Sequence, residues 1–288
     1  DKAFKNIWIQ PASGDAGGAI GCALAVWHKE LNKPRVVNPN DAMQGSYLGP
    51  SYEQDVIKNK LLECGAIFDS LSEDKMIEQT AQALADGMAV GWFQGRMEFG
   101  PRSLGGRSIL GDPRSEDMQK TLNLKVKYRE SFRPFAPSVL SEDVSEWFEA
   151  DYDSPYMLLV DDVKKDKRIK MTREEGFLFG IDKLNIKRSS IPAVTHVDYS
   201  ARIQTVHKET NPKYHALITK FKENTDCSVL VNTSFNVRGE PIVCTPEDAF
   251  KCFMGTDLDM LVVDNCIIRK DQQDELLTED YKDKYKLD

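Results

Sequence analysis

The alternation of short apolar runs with longer amphipathic segments restricts the possible fold of this chain more than any other feature. Runs such as "MAVGWF" at 88–93 and "CSVLVNTS" at 227–234 have the length and composition of buried strands. Segments 72–87 and 211–224 repeat apolar residues at the spacing of an amphipathic helix. Strands that alternate with helices predict an α/β fold with a mixed sheet.

Residues that favour helix ends predict where several helices begin. Asn211 and Thr245 each stand directly before a proline and an apolar periodic segment, which is typical of an N-cap. A capping-box pattern begins at Ser51. Asp15 is expected to cap a helix rich in small residues, and a strand around Ile7 is expected before that helix.

Two segments lack this order. Residues 35–50 carry prolines and glycines and are predicted to form a linker. Residues 162–190 are polar and are expected to form an insertion whose charges, including Lys164, Lys165 and Arg168, are exposed.

Length and composition are those of an ordinary folded protein. The chain has 288 residues, of which 41% are hydrophobic and 29% charged. It contains no run of 18 apolar residues, so no membrane-spanning helix is expected. The six cysteines form no C-x-x-C pair, and we expect buried free thiols in the reducing cytoplasm. The first residue is not Met and no signal-peptide pattern follows, so a piece of a longer protein is expected.

Charge is distributed unevenly along the chain. The formal net charge of −8 argues against a protein that coats nucleic acid. Between Arg96 and Arg133, however, nine basic side chains outnumber five acidic ones. Local positive charge on an acidic protein favours a small anionic ligand.

Residues 95–114, "GRMEFGPRSLGGRSILGDPR", combine four arginines with five glycines and two prolines. Glycine and proline argue against a helix here, and glycine lets the backbone approach a ligand closely. The pattern predicts an anion pocket in which Arg102 grips the ligand. Arg107 is a further binding candidate, but its position beside Ile109 and Leu110 leaves open that it braces the loop instead.

Three further polar segments stand at predicted strand ends, where open α/β sheets bind ligands. In "KVKYRESFRPF", Lys127, Arg129 and Arg133 are candidates for a phosphate or carbonyl clamp. Each arginine taken alone could equally be a surface charge or a bond to a loop carbonyl. The other two segments are 200–204, which contains Arg202, and 232–238.

In the segment "VNTSFNVRGEP", a predicted buried strand is followed by a turn that carries short polar side chains. Asn232, Ser234 and Asn236 are suited to binding phosphate oxygens or a sugar. Ordinary turn chemistry explains the same residues equally well. Other chemistries lack support, because the four histidines are scattered and no zinc spacing, Gly-x-Ser-x-Gly or Walker A sequence is present.

Five stretches together resemble the carbamoyltransferase family of the nodulation-protein-U type, which includes antibiotic O-carbamoyltransferases. They occur in the family's order from residue 7 to about residue 268. The stretches are "QPASGDAGGAIGCAL", "GWFQGRMEFGPRSLGGRSILGDPR", "LNLKVKYRESFRPFAPSVL", "ARIQTV" and "VNTSFNVRGEPIVCTPEDA".

The resemblance implies an α/β fold, namely a YrdC-like twisted mixed sheet with flanking helices, preceded by the end of an actin-like ATPase domain. By this resemblance residues 1–45 end the actin-like domain, 46–270 form the YrdC-like domain and 271–288 are a charged tail. The rest of the actin-like domain would be the partner of this chain.

The implied activity joins carbamoyl phosphate to the adenylyl group of ATP, giving carbamoyl adenylate and pyrophosphate. The carbamoyl group then moves to a hydroxyl of an acceptor. ATP and Mg²⁺ are the expected cofactors, with Fe²⁺ or another divalent metal in the full-length protein. No membrane or nucleic-acid partner is expected.

The family's functional residues correspond to individual positions of this chain. Its ligand-binding cations correspond to Arg102, Lys127, Arg133 and Arg202. Its adenylate-binding hydroxyl corresponds to Ser234, with Asn232 close to it, and its metal-binding aspartate corresponds to Asp15, whose histidine partners belong to an upstream segment. The chain departs from the family at Ser103, Gly106 and Tyr199, where Ala, Asn and Gly are usual.

Three alternatives remain open at this point. A threonylcarbamoyl-adenylate synthase would have the same pocket with another acyl source, although the actin-like remnant argues against it. An RNA-binding YrdC-like module would need aromatic residues interleaved with the basic ones along a strand face, which the basic segments lack, and the chain is acidic. A folded fragment without activity is the third.

Overall fold

Nine strands form one mixed sheet in the part of the chain that the computed structural model describes, which comprises residues 9–37, 41–184, 186–278 and 281. The order of the strands across the sheet is β1-β9-β8-β2-β3-β7-β4-β6-β5. Their bounds are β1 Asp69–Ser70, β2 Val90–Phe93, β3 Arg107–Gly111, β4 Ala136–Leu140, β5 Leu159–Asp162, β6 Ser200–Val206, β7 Val229–Ser234, β8 Met260–Val263 and β9 Cys266–Arg269.

Helices of very different length surround this sheet. Among them, α3 packs on α8, and α2 packs on α9. The helices of the described residues are α1 Asp15–Ala25, α2 Gln54–Glu63, α3 Glu73–Ala85, α4 Met118–Thr121, α5 Val144–Trp147, α6 Arg173–Gly176, α7 Ile181–Leu184, α8 Pro212–Thr225 and α9 Pro246–Met254. The predicted α/β class with a mixed sheet and flanking helices is therefore confirmed.

The register of the central strands determines which polar side chains meet. Strand β4 pairs with β6 in parallel, with Ser138 opposite Gln204, and with β7 antiparallel, with Ala136 opposite Asn232. Side chains alternate along a strand, so Ser138, Gln204 and Asn232 project from the same face of the sheet. Ser234, two residues beyond Asn232, follows on that face.

Local sequence signals identified some helix starts and missed others. Asn211 caps α8 by accepting from the Tyr214 N–H, and Thr245 caps α9 within a capping box. The caps predicted at Ser51 and Asp15 are wrong. Helix α2 begins after Glu53 with no side-chain cap, and Asp15 is the first residue of α1, beyond the N-cap residue Gly14. The cap position is occupied by Glu53, two residues after Ser51, in α2, and by Gly14, directly before Asp15, in α1.

Other segments depart from the sequence-based expectations. Strand β3 was not predicted within its glycine-rich stretch, yet it pairs with both β2 and β7. In the predicted linker 35–50, Gly45 and Ser46 are buried. The strand expected around Ile7 lies outside the described residues.

One charge of the polar segment 162–190, that of Arg168, is less exposed than expected. Arg168 donates to the Val163 carbonyl at 2.6 Å and pairs with Asp162 at 2.9 Å, so it is not a free surface charge.

The cysteines differ in their burial. Cys227, Cys252 and Cys266 are buried, whereas Cys22 is exposed on α1. No helix of the described residues is long and apolar enough to cross a membrane.

Candidate active site

A buried polar network fastens the glycine-rich loop 95–106 to the sheet. The Asn232 amide donates to the Ser103 carbonyl at 3.1 Å and to Gln204 Oε1 at 2.8 Å, and its Nδ2 lies 3.0 Å from Ser138 Oγ. Gln204 Nε2 in turn donates to the Leu104 carbonyl at 2.7 Å. The loop that carries Arg102 is thus held against strands β4, β6 and β7.

Arg107 braces the same loop from inside. Its side chain is fully buried, and its guanidinium lies 3.4 Å from the centre of the Phe93 ring. Burial lowers the pKa of Arg107 to about 10. The guanidinium donates to backbone carbonyls at 2.9–3.3 Å, those of Gln94, Gly95, Gly106 and Pro50. This geometry favours the bracing role over ligand contact.

Glu98 is a second brace, which the sequence analysis overlooked. The side chain is 6% exposed, and Oε1 accepts from the backbone N–H groups of Leu104, Gly106 and Arg107 at 2.6, 2.7 and 3.2 Å. A carboxylate that accepts several backbone hydrogen bonds fixes the loop around it. The sequence signal that could have identified Glu98 is an acidic residue that stands among glycines and arginines.

Arg102 and Arg202 form the first cationic cluster of the site. Arg102 is exposed at the edge of a cavity of about 80 Å³, which Tyr156 and Leu158 also line. Arg202 lies half-buried on β6, with Nη2 3.8 Å from Met157 Sδ. Burial and then the charge of Arg102 lower the pKa of Arg202. The ion pairs of the described residues give neither arginine a carboxylate partner.

Lys127 is held in place by a widened helical turn. Helix α4 continues into a π-turn at Leu122–Val126, and the Lys127 N–H bonds the Leu122 carbonyl at 2.9 Å. The buried ammonium then donates to the carbonyl and side-chain oxygens of Ser234 and Asn236. Burial, with a contribution from Arg129, lowers the pKa of Lys127 to about 7. The surrounding oxygens favour the charged form and oppose this shift.

Arg129, Arg133 and Arg238 complete a second cationic cluster around Lys127. Arg129 stacks on the Phe135 ring at 5.0 Å. Burial and then the charge of Arg133 lower the pKa of Arg129 to about 10. Glu130 pairs with Arg133 at 3.3 Å and with Arg238 at 3.5 Å, so one carboxylate is shared between two exposed-side cations. Like charges held together in this way are typical of anion-binding sites.

Strand β7 connects the two clusters. Asn232 contacts the loop beside Arg102, and Ser234 contacts Lys127. Two residues along a strand correspond to about 7 Å, a distance comparable to the size of a phosphate chain. The structure therefore brings together all the predicted anion-binding residues except Arg107, which lies beneath the loop.

Asp15 does not join this site. It is exposed at the start of α1, and the described residues contain no group of three or more His, Cys, Asp or Glu side chains that could hold a metal ion. Among the described residues, Asp15 therefore has no partners with which to hold a divalent metal.

A cleft of about 1000 Å³ is lined by the start of the same loop, at Gly95 and Arg96, but by none of the predicted site residues. Its lining mixes charges of both signs, such as Asp41, Arg96, Asp153 and Lys213. We locate the site from the two cationic clusters instead, because an anionic ligand needs charge more than volume.

Comparison with known proteins decides the family. Residues 81–270 match the family model described as "Carbamoyltransferase C-terminus". The chain belongs to this carbamoyltransferase family. The resemblance read from the motifs is thereby confirmed.

Relatives of the carbamoyltransferase C-terminus family align over nearly the whole chain. Protein sll1178 of Synechocystis sp. is 61% identical over 94% of this chain and 44% of its own length. Nodulation protein NolO of Bradyrhizobium diazoefficiens is 41% identical over 93% of the chain and 45% of its own length. The 3'-hydroxymethylcephem-O-carbamoyltransferase of Streptomyces clavuligerus is 32% identical over 91% and 43%. The chain thus spans less than half the length of these relatives.

Among solved structures, full-length HypF in its phosphate- and nucleotide-bound form aligns with 71% of this chain and 23% of that chain. The identity is 18% and the TM-score 0.42, so this alignment carries no argument about function.

Proposed function

We propose that this chain forms carbamoyl adenylate from carbamoyl phosphate and ATP. The observation that carries the proposal is the pair of cationic clusters on either side of Asn232 and Ser234, within a chain of the carbamoyltransferase family. Carbamoyl phosphate and ATP are both polyanions, and bringing them together in a poorly solvated site requires fixed positive charge.

The reaction balances only with water. A carbamoyl oxygen forms a bond to the α-phosphorus of ATP, and the bond to the bridging β-oxygen breaks, so that pyrophosphate leaves. The phosphoryl group of carbamoyl phosphate passes to water as inorganic phosphate, and one proton is released. Such transfers depend on positioning and charge neutralisation more than on covalent catalysis by the protein.

The two clusters have different roles in this proposal. Arg102 and Arg202, beside Asn232, hold the carbamoyl phosphate, and Arg102 offers a planar guanidinium for bidentate contact. Lys127, Arg129, Arg133 and the turn at Ser234 and Asn236 hold the phosphates of ATP. Mg²⁺ accompanies the nucleotide and neutralises part of its charge.

Transfer to an acceptor hydroxyl is proposed to need the rest of a longer, cytoplasmic protein. The chain spans less than half the length of its relatives, and the described residues contain no complete metal site. We therefore expect the isolated chain to form the adenylate without carbamoylating an acceptor.

The direct test is release of pyrophosphate by the purified chain with ATP, Mg²⁺ and carbamoyl phosphate. We expect equal amounts of inorganic phosphate and pyrophosphate, and no pyrophosphate when carbamoyl phosphate is omitted. Pyrophosphate release that requires threonine and bicarbonate instead would favour the synthase alternative. RNA binding at physiological salt, without binding of either small ligand, would favour the nucleic-acid module.

A further inference from the structure

Three buried polar atoms of one network have no hydrogen-bond partner among the described residues. They are Asn232 Oδ1, Ser103 Oγ and Arg202 Nε. The Asn232 and Ser103 residues are 1% and 3% exposed. Buried polar groups are nearly always paired, and each unpaired one carries the cost of lost hydration. Asn232 and Ser103 lie where the loop 95–106 meets strand β7, and Arg202 lies on β6, two residues before Gln204.

The network itself fixes which way the Asn232 amide faces. Its Nδ2 lies 3.1 Å from the Ser103 carbonyl, which can only accept. Gln204 donates through Nε2 to the Leu104 carbonyl, so Gln204 Oε1, 2.8 Å from Asn232 Nδ2, is also an acceptor. Rotating the amide would set oxygen against both acceptors. Asn232 Oδ1 is therefore an acceptor that still needs a donor.

We propose that Asn232 Oδ1, with Ser103 Oγ, recognises the amide N–H groups of the carbamoyl donor and so selects carbamoyl phosphate over acyl phosphates of the same charge. This inference rests on the proposed function and adds its selectivity. A carbamoyl group offers two N–H donors and one carbonyl acceptor. Asn232 Oδ1 accepts one N–H, Ser103 Oγ can accept the other, and Arg202 Nε donates to the carbonyl oxygen.

Access to these atoms requires movement at one end of the loop. Pro101 and Arg102 are exposed, and Gly100 before them has φ +116°. Among the described residues, the bond from Asn232 to the Ser103 carbonyl alone ties 101–103 to the sheet. The following residues are held more firmly, since Leu104 bonds Glu98, Gln204 and Tyr47.

Acetyl phosphate is the matched probe, because it replaces the amide by a methyl group and keeps the phosphate. Binding acetyl phosphate would leave Asn232 Oδ1 buried and unpaired. One such group corresponds to about a ten- to hundredfold weaker affinity. We expect the wild-type chain to bind carbamoyl phosphate tighter than acetyl phosphate by about this factor, measured by calorimetric titration.

Variants locate the selectivity. Asn232→Leu should reduce the carbamoyl-to-acetyl affinity ratio to near one, and Ser103→Ala should reduce it partly. Ser103→Ala removes only an unpartnered hydroxyl, so its melting temperature should not fall. Ser138→Ala is the structural control, because Ser138 Oγ has its partners within the network: it donates to Gln204 Oε1 and lies 3.0 Å from Asn232 Nδ2. It should lower the melting temperature and keep the ratio.

The outcomes separate the two proposals. A wild-type chain that binds neither phosphate overturns the proposed function. A wild-type chain that binds both equally overturns the selectivity alone, whether or not Asn232→Leu folds. A carbamoyl-to-acetyl affinity ratio that is unchanged in both Asn232→Leu and Ser103→Ala also overturns the selectivity alone.

Discussion

Arg102 and Arg107 stand five residues apart in one glycine-rich stretch, yet the structure gives them opposite surroundings. Arg107 is fully buried, and its terminal nitrogens are bonded to backbone carbonyls. Arg102 is exposed, faces Arg202, and has no carboxylate in the described ion pairs. Arg107 therefore shapes the loop, whereas Arg102 is available to a ligand.

The same difference separates Glu98 from Glu130. Glu98 is buried and accepts backbone N–H groups of its own loop. Glu130 is exposed and is shared between Arg133 and Arg238. Glu98 therefore has a structural role, whereas Glu130 is one carboxylate shared between two cations and neutralises them only in part.

The largest expected effect comes from replacing Arg107, which braces the loop from inside. Arg107→Met should lower the free energy of unfolding by about 3–5 kcal/mol, because it leaves several buried carbonyls and the Glu98 charge without compensation. Chemical denaturation measures the change. Ligand affinity of the fraction that remains folded should be close to that of the wild type. An unchanged denaturation midpoint would contradict the bracing role.

Removing Arg102 or Arg202 should weaken ligand binding and leave the stability unchanged. Arg102→Ala and Arg202→Ala should each weaken carbamoyl phosphate binding by about ten- to a hundredfold, the effect of one charge-assisted hydrogen bond. Arg102→Lys should also bind poorly, since a point charge does not reproduce the planar fork. Thermal melts should show no loss of stability. Full affinity in these variants would mean that the clusters are not the anion site.

The pH dependence of ligand affinity tests the role of Lys127. Its pKa is lowered to about 7, so its ammonium loses its charge as the pH rises through that value. Affinity for pyrophosphate should therefore fall between about pH 6 and about pH 8, by about tenfold from this residue. Lys127→Arg, which stays charged throughout, should flatten the profile relative to the wild type at equal ligand ionisation. A profile identical in both proteins would rule out Lys127 as the titrating group.

The smallest expected effect is at an exposed pair outside both clusters. Lys220 and Glu223 lie one turn apart on α8 at 2.8 Å. Lys220→Ala should change neither the melting temperature nor pyrophosphate release measurably, because exposed ion pairs contribute little. It serves as the control for the arginine variants, in place of Arg168, which the structure shows to be bonded. A loss of ligand affinity here would indicate that general charge, and not the two clusters, attracts the anion.

The fold class and most residues of the candidate site could be predicted from the sequence alone. Apolar periodicity identified α3, α8 and the buried strand β7, because burial of one face requires that spacing. Proline and cap residues placed the starts of α8 and α9, since these signals act within one turn. The family resemblance selected Arg102, Lys127, Arg133, Arg202 and Ser234, which the structure brings to one region. Their roles in binding stay predictions.

Which charged side chains are hydrogen-bonded by the protein itself depends on the tertiary structure. Strand β3 is formed because β2 and β7 pair with it on both sides, and local composition does not encode such pairing. Arg107 is a brace because backbone carbonyls, including that of the distant Pro50, and the Phe93 ring surround it. Glu98 is a brace because the folded loop turns three backbone N–H groups toward its carboxylate. Asn232 kept a free oxygen because Ser103 and Gln204, far away in sequence, occupy its nitrogen. Hydrogen-bond saturation depends on contacts between residues distant in the chain, so it becomes visible only once the chain is folded.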